Sequence, residues 1–178
     1  MTQYVALLRG INVGGHNVKM TEMRKEFEAL GLANVSTIIA SGNVLFQSDD
    51  QSVAVLQQRI EAALRQRLGY GVATFLRTSQ EITAISAFPA FPDMDSPGRV
   101  THVVFLHSAA GEIEHRAVMS LNSDADSFCV RDREIYWLCR DRLSDSPVFK
   151  RNLLEKALGA PSTARNINTV RKLAVKFA

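Results

Sequence analysis

Cysteine is nearly absent from this chain, two residues in 178, which excludes a disulfide-stapled scaffold. No segment approaches the ~18 consecutive apolar residues that a membrane-crossing helix requires. Nor does the N-terminus carry a charged segment leading into an apolar run, since Tyr4–Leu8 meets Arg9 and Gly10 at once. A cytoplasmic location with no membrane partner is therefore the expectation. Histidine is sparse, and His16, His102, His107 and His115 have no metal-ligand spacing. Neither cysteine has a histidine near it in the pattern, and there is no G-x-S-x-G elbow. No metal is expected, no catalytic residue is identified, and no motif names a cofactor. Proline is scarce as well, with three of five between Phe88 and Gly98, where they mark a linker. What remains is ordinary: 46% hydrophobic and 22% charged residues, the balance of a soluble globular protein. A chain of this length buries roughly 70% of its unfolded surface, enough for a real core.

The net charge of +3 is too small to imply a partner, but it is unevenly placed. From Lys150 onward the basic residues are Lys150, Arg151, Lys156, Arg165, Arg171, Lys172 and Lys176 against Glu155 alone. The tail thus carries a surplus of six, and the rest of the chain a deficit of three. Such a tail is either a solvated helix face or an anion-binding one.

The order of elements predicts an α+β fold. An apolar run over Gln3–Arg9 reads as a strand buried on both faces. Met20, Met23, Phe27 and Leu30 recur at helical spacing, and Ser41-Gly42-Asn43 marks a hairpin between two β-rich runs. A helix over Val53–Leu68 ends at Gly69, and a strand over Val72–Arg77 leads into a capping-box pattern at Thr78 and Glu81. This is the split βαβ order of ferredoxin-like folds. The second half begins alike, with a strand over Thr101–Leu106, a helix over Glu112–Leu121, and a hairpin turning at Asp132-Arg133. A helix follows over Pro147–Leu158, with Ser146 as its cap. In place of a fourth strand, the reading runs through Pro161 into a last helix capped by Thr163, with Ile167, Val170, Ala174 and Phe177 inward. The expectation is thus two ferredoxin-like subdomains, residues 1–92 and 93–178, the second incomplete and completed by a basic C-terminal helix. Pairing 131 with 134 puts Cys129 opposite Tyr136 and away from Cys139, so two free buried thiols are expected. Asp93/Asp95 and Asp124/Asp126 read as solvated turns.

Three polar clusters carry the functional reading. Arg9, Gly10, Asn12, Gly14, Gly15, His16 and Asn17 follow the first strand; glycines let backbone N–H groups approach a ligand, and Arg9 supplies a guanidinium for phosphate or carboxylate. Gly10 to Gly15 has P-loop spacing, but His16-Asn17 replaces the Lys-Ser/Thr pair that such a loop needs. A glycine turn at a sheet end is the competing explanation. Ser41 and Asn43 form the second cluster, which hairpin chemistry alone also explains. Arg165, Asn166 and Asn168 form the third, at a helix start that favours anions, with capping as its alternative. An open sheet for stacking RNA bases is disfavoured by the two-sided apolar first strand and the absence of an aromatic motif at Val44-Leu45-Phe46-Gln47.

At Tyr4-Val-Ala-Leu-Leu-Arg-Gly-Ile-Asn-Val-Gly-Gly15 the chain resembles a bacterial family, domain-of-unknown-function family 1697. Ser41-Gly-Asn-Val44 resembles its second signature and Ala164-Arg-Asn-Ile-Asn-Thr-Val-Arg-Lys-Leu173 its C-terminal one. The resemblance implies an α+β fold of two subdomains across essentially the whole chain, and carries no activity or catalytic residue. The chain departs from the family at His16, where a basic residue is usual, and at Ile167, where an aromatic is usual. The leading expectation is a composite site between the subdomains for a phosphate-bearing small molecule or nucleotide. It is formed by Arg9, Asn12, Gly14, Gly15, Asn17, Ser41, Asn43, Arg165, Asn166 and Asn168. The alternatives are nucleic-acid binding through the basic C-terminal helix, or an interaction module with no ligand.

Overall fold

Apolar residues spaced two apart in strands and three or four apart in helices build two layered units. The computed structural model describes residues 1–11, 18–38, 42–50 and 52–177. One compact unit comprises Met1–Thr83 with Lys176–Ala178, the other Ala84–Val175; the proline-bearing stretch 88–98 lies in the second.

The first unit runs β1 (Thr2–Leu8), α1 (Met20–Ala29), β2 (Ala33–Thr37), β3 (Asn43–Ser48), α2 (Val53–Leu68) and β4 (Thr74–Thr78), with α3 (Ser79–Ala87) leading out of it. Its antiparallel sheet has the order β2-β3-β1-β4, the ferredoxin-like arrangement. Tyr4, Ala6 and Leu8 of β1 pack with Met23 and Phe27 of α1 and with Leu56, Ile60 and Leu64 of α2. Val5 and Leu7, on the opposite face, are fully buried as well. Ser52 caps α2 by accepting from Val55 N, and Gly69 ends it in the left-handed conformation. The capping box is complete: Thr78 N donates to Glu81 Oε2 at 2.7 Å, and Glu81 N donates to Thr78 Oγ1 at 3.2 Å.

The second unit runs β5 (Val100–Phe105), α4 (Glu112–Met119), β6 (Asp126–Arg131), β7 (Glu134–Cys139), a 3-10 turn at Leu143–Asp145, α5 (Pro147–Lys150), α6 (Leu153–Leu158), β8 (Thr163–Asn166) and α7 (Ile167–Phe177). Its sheet order, β6-β7-β5-β8, repeats that of the first unit. The α+β class and the two ferredoxin-like subdomains with a C-terminal helix are as expected, but the second sheet is not incomplete. Thr163, expected as a helix cap, opens β8, which pairs antiparallel with β5. A strand reading Thr-Ala-Arg-Asn has little intrinsic β-character, so its pairing with β5 defines it. The cap of α7 is Asn166, whose Oδ1 accepts from Asn168 N at 2.8 Å. On α7 the buried residues are Ile167, Val170 and Leu173; Ala174 and Phe177 are only half-buried. The single helix expected over Pro147–Leu158 is two, because Asn152 adopts φ 51° between them. Ser146 caps the first as expected, accepting from Val148 N and Phe149 N. Among the described residues, no helix is long and apolar enough to cross a membrane.

The β6–β7 register pairs Arg131 with Glu134 and therefore Cys129 with Tyr136, while Cys139 faces Asp126. Both thiols are free. Burial, and then the charge of Asp126, pushes the Cys139 thiol up to about 12; burial also raises Cys129, which is only half-buried. At pH 8 the thiolate fraction of Cys139 is therefore on the order of a thousandfold below that of an ordinary cysteine. Peptide mapping after native alkylation is expected to show Cys129 modified and Cys139 protected until the chain unfolds; comparable labelling of both would contradict the burial argument. Because the folded state favours the protonated thiol, this contribution is fully present below the unfolded value of about 9. It declines as pH rises toward 12.

Candidate functional site

The first two clusters meet at the end of β1. Leu8 N donates to Gly42 O at 2.8 Å, and Arg9 N donates to Ala73 O at 2.9 Å. The carbonyl end of Arg9's strand is thus held between the β2–β3 hairpin and the segment leading into β4. Gly42 has φ +73°, and a Cβ there would lie 3.1 Å from Ile11 Cγ2, 3.2 Å from Leu8 Cβ and 3.3 Å from Leu8 O. The glycine thus permits both the turn and the close approach of the hairpin to the loop following Arg9. Arg9 is half-buried at this junction. Asn12, Gly14, Gly15 and Asn17 of the loop, and Ser41 of the tip, lie outside the described residues.

Asn43 has a local task. It is fully buried, its Nδ2 donates to Ile38 O at 3.1 Å, and its own carbonyl accepts from Ile38 N at 3.1 Å, so it closes the hairpin from both sides.

The third cluster is built on β8 and the start of α7. Arg165 lies opposite Val103 of β5, only 8% exposed, and its Nη1 donates to Thr163 Oγ1 at 2.8 Å and to Ala164 O at 2.9 Å. Burial pulls its guanidinium down to about 10, still far above neutrality, so it stays cationic. Asn166 is occupied as the cap of α7, while Asn168 is exposed. The basic tail is not one open stripe: Arg165 is buried, and Arg171 holds Asp95 by two bonds, 2.7 Å from Nη1 and 2.9 Å from Nη2.

Two residues with marked environments escaped the sequence reading. Arg77 of β4 is the largest fully buried side chain, 1% exposed. It faces Val5 as Arg165 faces Val103, and its Nη1 likewise donates to the preceding carbonyl, Leu76 O, at 2.8 Å. An arginine in an apolar strand reads as an edge charge, and only the repeated topology reveals the correspondence. Asp126, expected in a solvated turn, is 1% exposed and accepts from Trp137 Nε1 at 2.7 Å and from Ser146 Oγ at 2.9 Å. It braces the second unit's core. Among the described residues no group of three or more His, Cys, Asp or Glu side chains could hold a metal ion.

The fold is shared with conserved bacterial protein SP0830 from Streptococcus pneumoniae, with a TM-score of 0.75 and 24% identity over 99% of each chain. No curated protein matches the chain. A family model described as "Protein of unknown function (DUF1697)" matches residues 1–136, a stretch that contains the Arg9 loop and the Ser41–Asn43 tip. With three quarters of its length matched, the chain belongs to the DUF1697 family.

Proposed function

We propose that this protein binds a phosphate-bearing small molecule or a nucleotide at the end of β1. Arg9 is the charged contact, at the junction where Gly42 of the β2–β3 hairpin seats against Leu8 and Ile11. The observation that carries this reading is the seating of Gly42 against Leu8 and Ile11, which supports a shared pocket for two polar, glycine-bearing segments beside one guanidinium. A fixed guanidinium with nearby backbone N–H groups suits a phosphate, which takes several charge-assisted hydrogen bonds at once.

Thermal unfolding in the presence of inorganic phosphate, nucleoside mono- and triphosphates and sugar phosphates tests it. A ligand at about one hundred times its Kd stabilises by roughly 2.7 kcal/mol, a shift of several degrees for units of this size. Arg9→Ala is expected to abolish the shift. No stabilisation by any member of the panel, or stabilisation that survives Arg9→Ala, overturns the reading.

A further inference from the structure

We infer that the second unit carries a small-ligand site of its own, at the corner corresponding to the Arg9 corner of the first, and that it takes a primary ammonium group on an apolar body. The correspondence is set by backbone pairing. Leu106 N donates to Arg133 O at 2.9 Å just as Leu8 N donates to Gly42 O at 2.8 Å. Val103 faces Arg165 just as Val5 faces Arg77. His107 therefore stands in the second unit where Arg9 stands in the first.

A groove of about 300 Å³ opens at this corner, with His107, Ser108, Ala110, Glu114, Leu158 and Pro161 among its walls. That volume is at the lower bound for small-molecule sites. Glu114 is the only residue of the lining with a formal charge at neutral pH. Its Oε2 is folded back over the start of α4, 2.5 Å from where a Cβ on Gly111 would lie. The start of α4, which an anion would otherwise seek, thus already has a carboxylate of the chain beside it. A second anion would meet like charge there. A ligand ammonium gains an ion pair with Glu114, with His107 and Ser108 as hydrogen-bonding neighbours and Ala110, Leu158 and Pro161 as apolar wall. The two corners are in this way electrostatically opposite, arginine in the first and glutamate in the second.

The test is a titration of the full-length, isotope-labelled chain with benzylamine at pH 7, following backbone amide resonances, with benzyl alcohol and inorganic phosphate as separate arms. Benzylamine is expected to move the amides of Ser108–Gly111 and Gly159–Ala160 saturably, and benzyl alcohol to leave them in place. Glu114→Gln is expected to weaken benzylamine about three- to fivefold, the scale of losing one partly exposed ion pair. Gly111→Ala is a second probe: φ at this residue is −71°, ordinary for alanine, and the new methyl displaces only the end of the Glu114 side chain. It is expected to weaken benzylamine while the unfolding midpoint holds. The proposal fails if no saturable shift occurs by roughly 10 mM, above the millimolar range of weak specific ligands. It also fails if Glu114→Gln binds benzylamine undiminished, or if phosphate moves the same amides more strongly. Arg9→Ala leaves this titration unchanged, so this failure and that of the phosphate site are read on different residues.

Discussion

Asp126→Ala is expected to destabilise the second unit by about 3–5 kcal/mol, the cost of stranding two buried donors that a carboxylate had satisfied. Those donors are Trp137 Nε1, 2.7 Å away on the neighbouring strand, and Ser146 Oγ, 2.9 Å away at the cap of α5. Ser146 Oγ also accepts from Val148 N and Phe149 N, so the substitution loosens a helix start as well as a tryptophan. Trp137 is the single tryptophan of the chain, and its emission therefore reports the site directly. Chemical denaturation followed by tryptophan fluorescence should show a lower midpoint and, in the native baseline, an altered emission maximum. Asp126→Asn keeps one acceptor oxygen and removes the charge, so it should cost less. It should also lower the Cys139 thiol, because the Asp126 charge is the second cause, after burial, of that thiol's elevation. An Asp126→Ala protein of unchanged stability would show that the two bonds are not what holds Trp137 and Ser146 in place.

Gly42→Ala is expected to destabilise the first unit by about 2–5 kcal/mol, from two separable causes. A side chain at φ +73° is strained by roughly 1–2 kcal/mol. The methyl also meets Ile11, Leu8 Cβ and the Leu8 carbonyl at 3.1–3.3 Å, crowding of the kind that costs about 1–3 kcal/mol. Gly69→Ala supplies the control: φ there is +79° with nothing within 4 Å of the added Cβ, so it carries the backbone cost alone. The difference between the two in urea denaturation measures how closely the hairpin is seated on the loop after Arg9. Equal effects would mean that the loop yields to the methyl, and with it the support for a shared pocket. If the seating is as tight as the geometry requires, Gly42→Ala should also impair phosphate-ligand stabilisation at temperatures where the chain remains folded.

How much of this was legible beforehand varies residue by residue. The three signature segments stand out because glycine, asparagine and arginine at element ends contrast with apolar strands, and two of those segments do adjoin, through Leu8, Ile11 and Gly42. The third behaves differently at each residue. Asn166 is explained by capping, Arg165 is a buried strand residue, and Asn168 alone is exposed. Asn43, a polar residue at a hairpin in the sequence, is a fully buried brace. Arg77 gave no sign at all, because an arginine's burial depends on what the rest of the sheet places around it, and no short window of residues contains that information.

Features decided within a few residues were determined by the sequence alone. These are the Thr78–Glu81 capping box, the left-handed terminus at Gly69, the Ser146 cap followed by Pro147, and the Asp132-Arg133 turn whose register already put Cys129 beside Tyr136. Each depends on one or two backbone angles and on hydrogen bonds that close over three or four positions, so local chemistry suffices. The scarcity of cysteine, and the lack of a long apolar run, likewise argue locally against a disulfide-stapled scaffold and a membrane-crossing helix. The tertiary structure alone decided that Thr163–Asn166 is a strand, since β5 supplies the partner that its own residues do not demand. It also decided that Asn152 breaks a helix, that Asp126 lies in the core, and that Gly42 touches Leu8. Those outcomes are set by segments distant in sequence competing for the same hydrogen bonds and the same volume, and that competition exists only once the chain has folded.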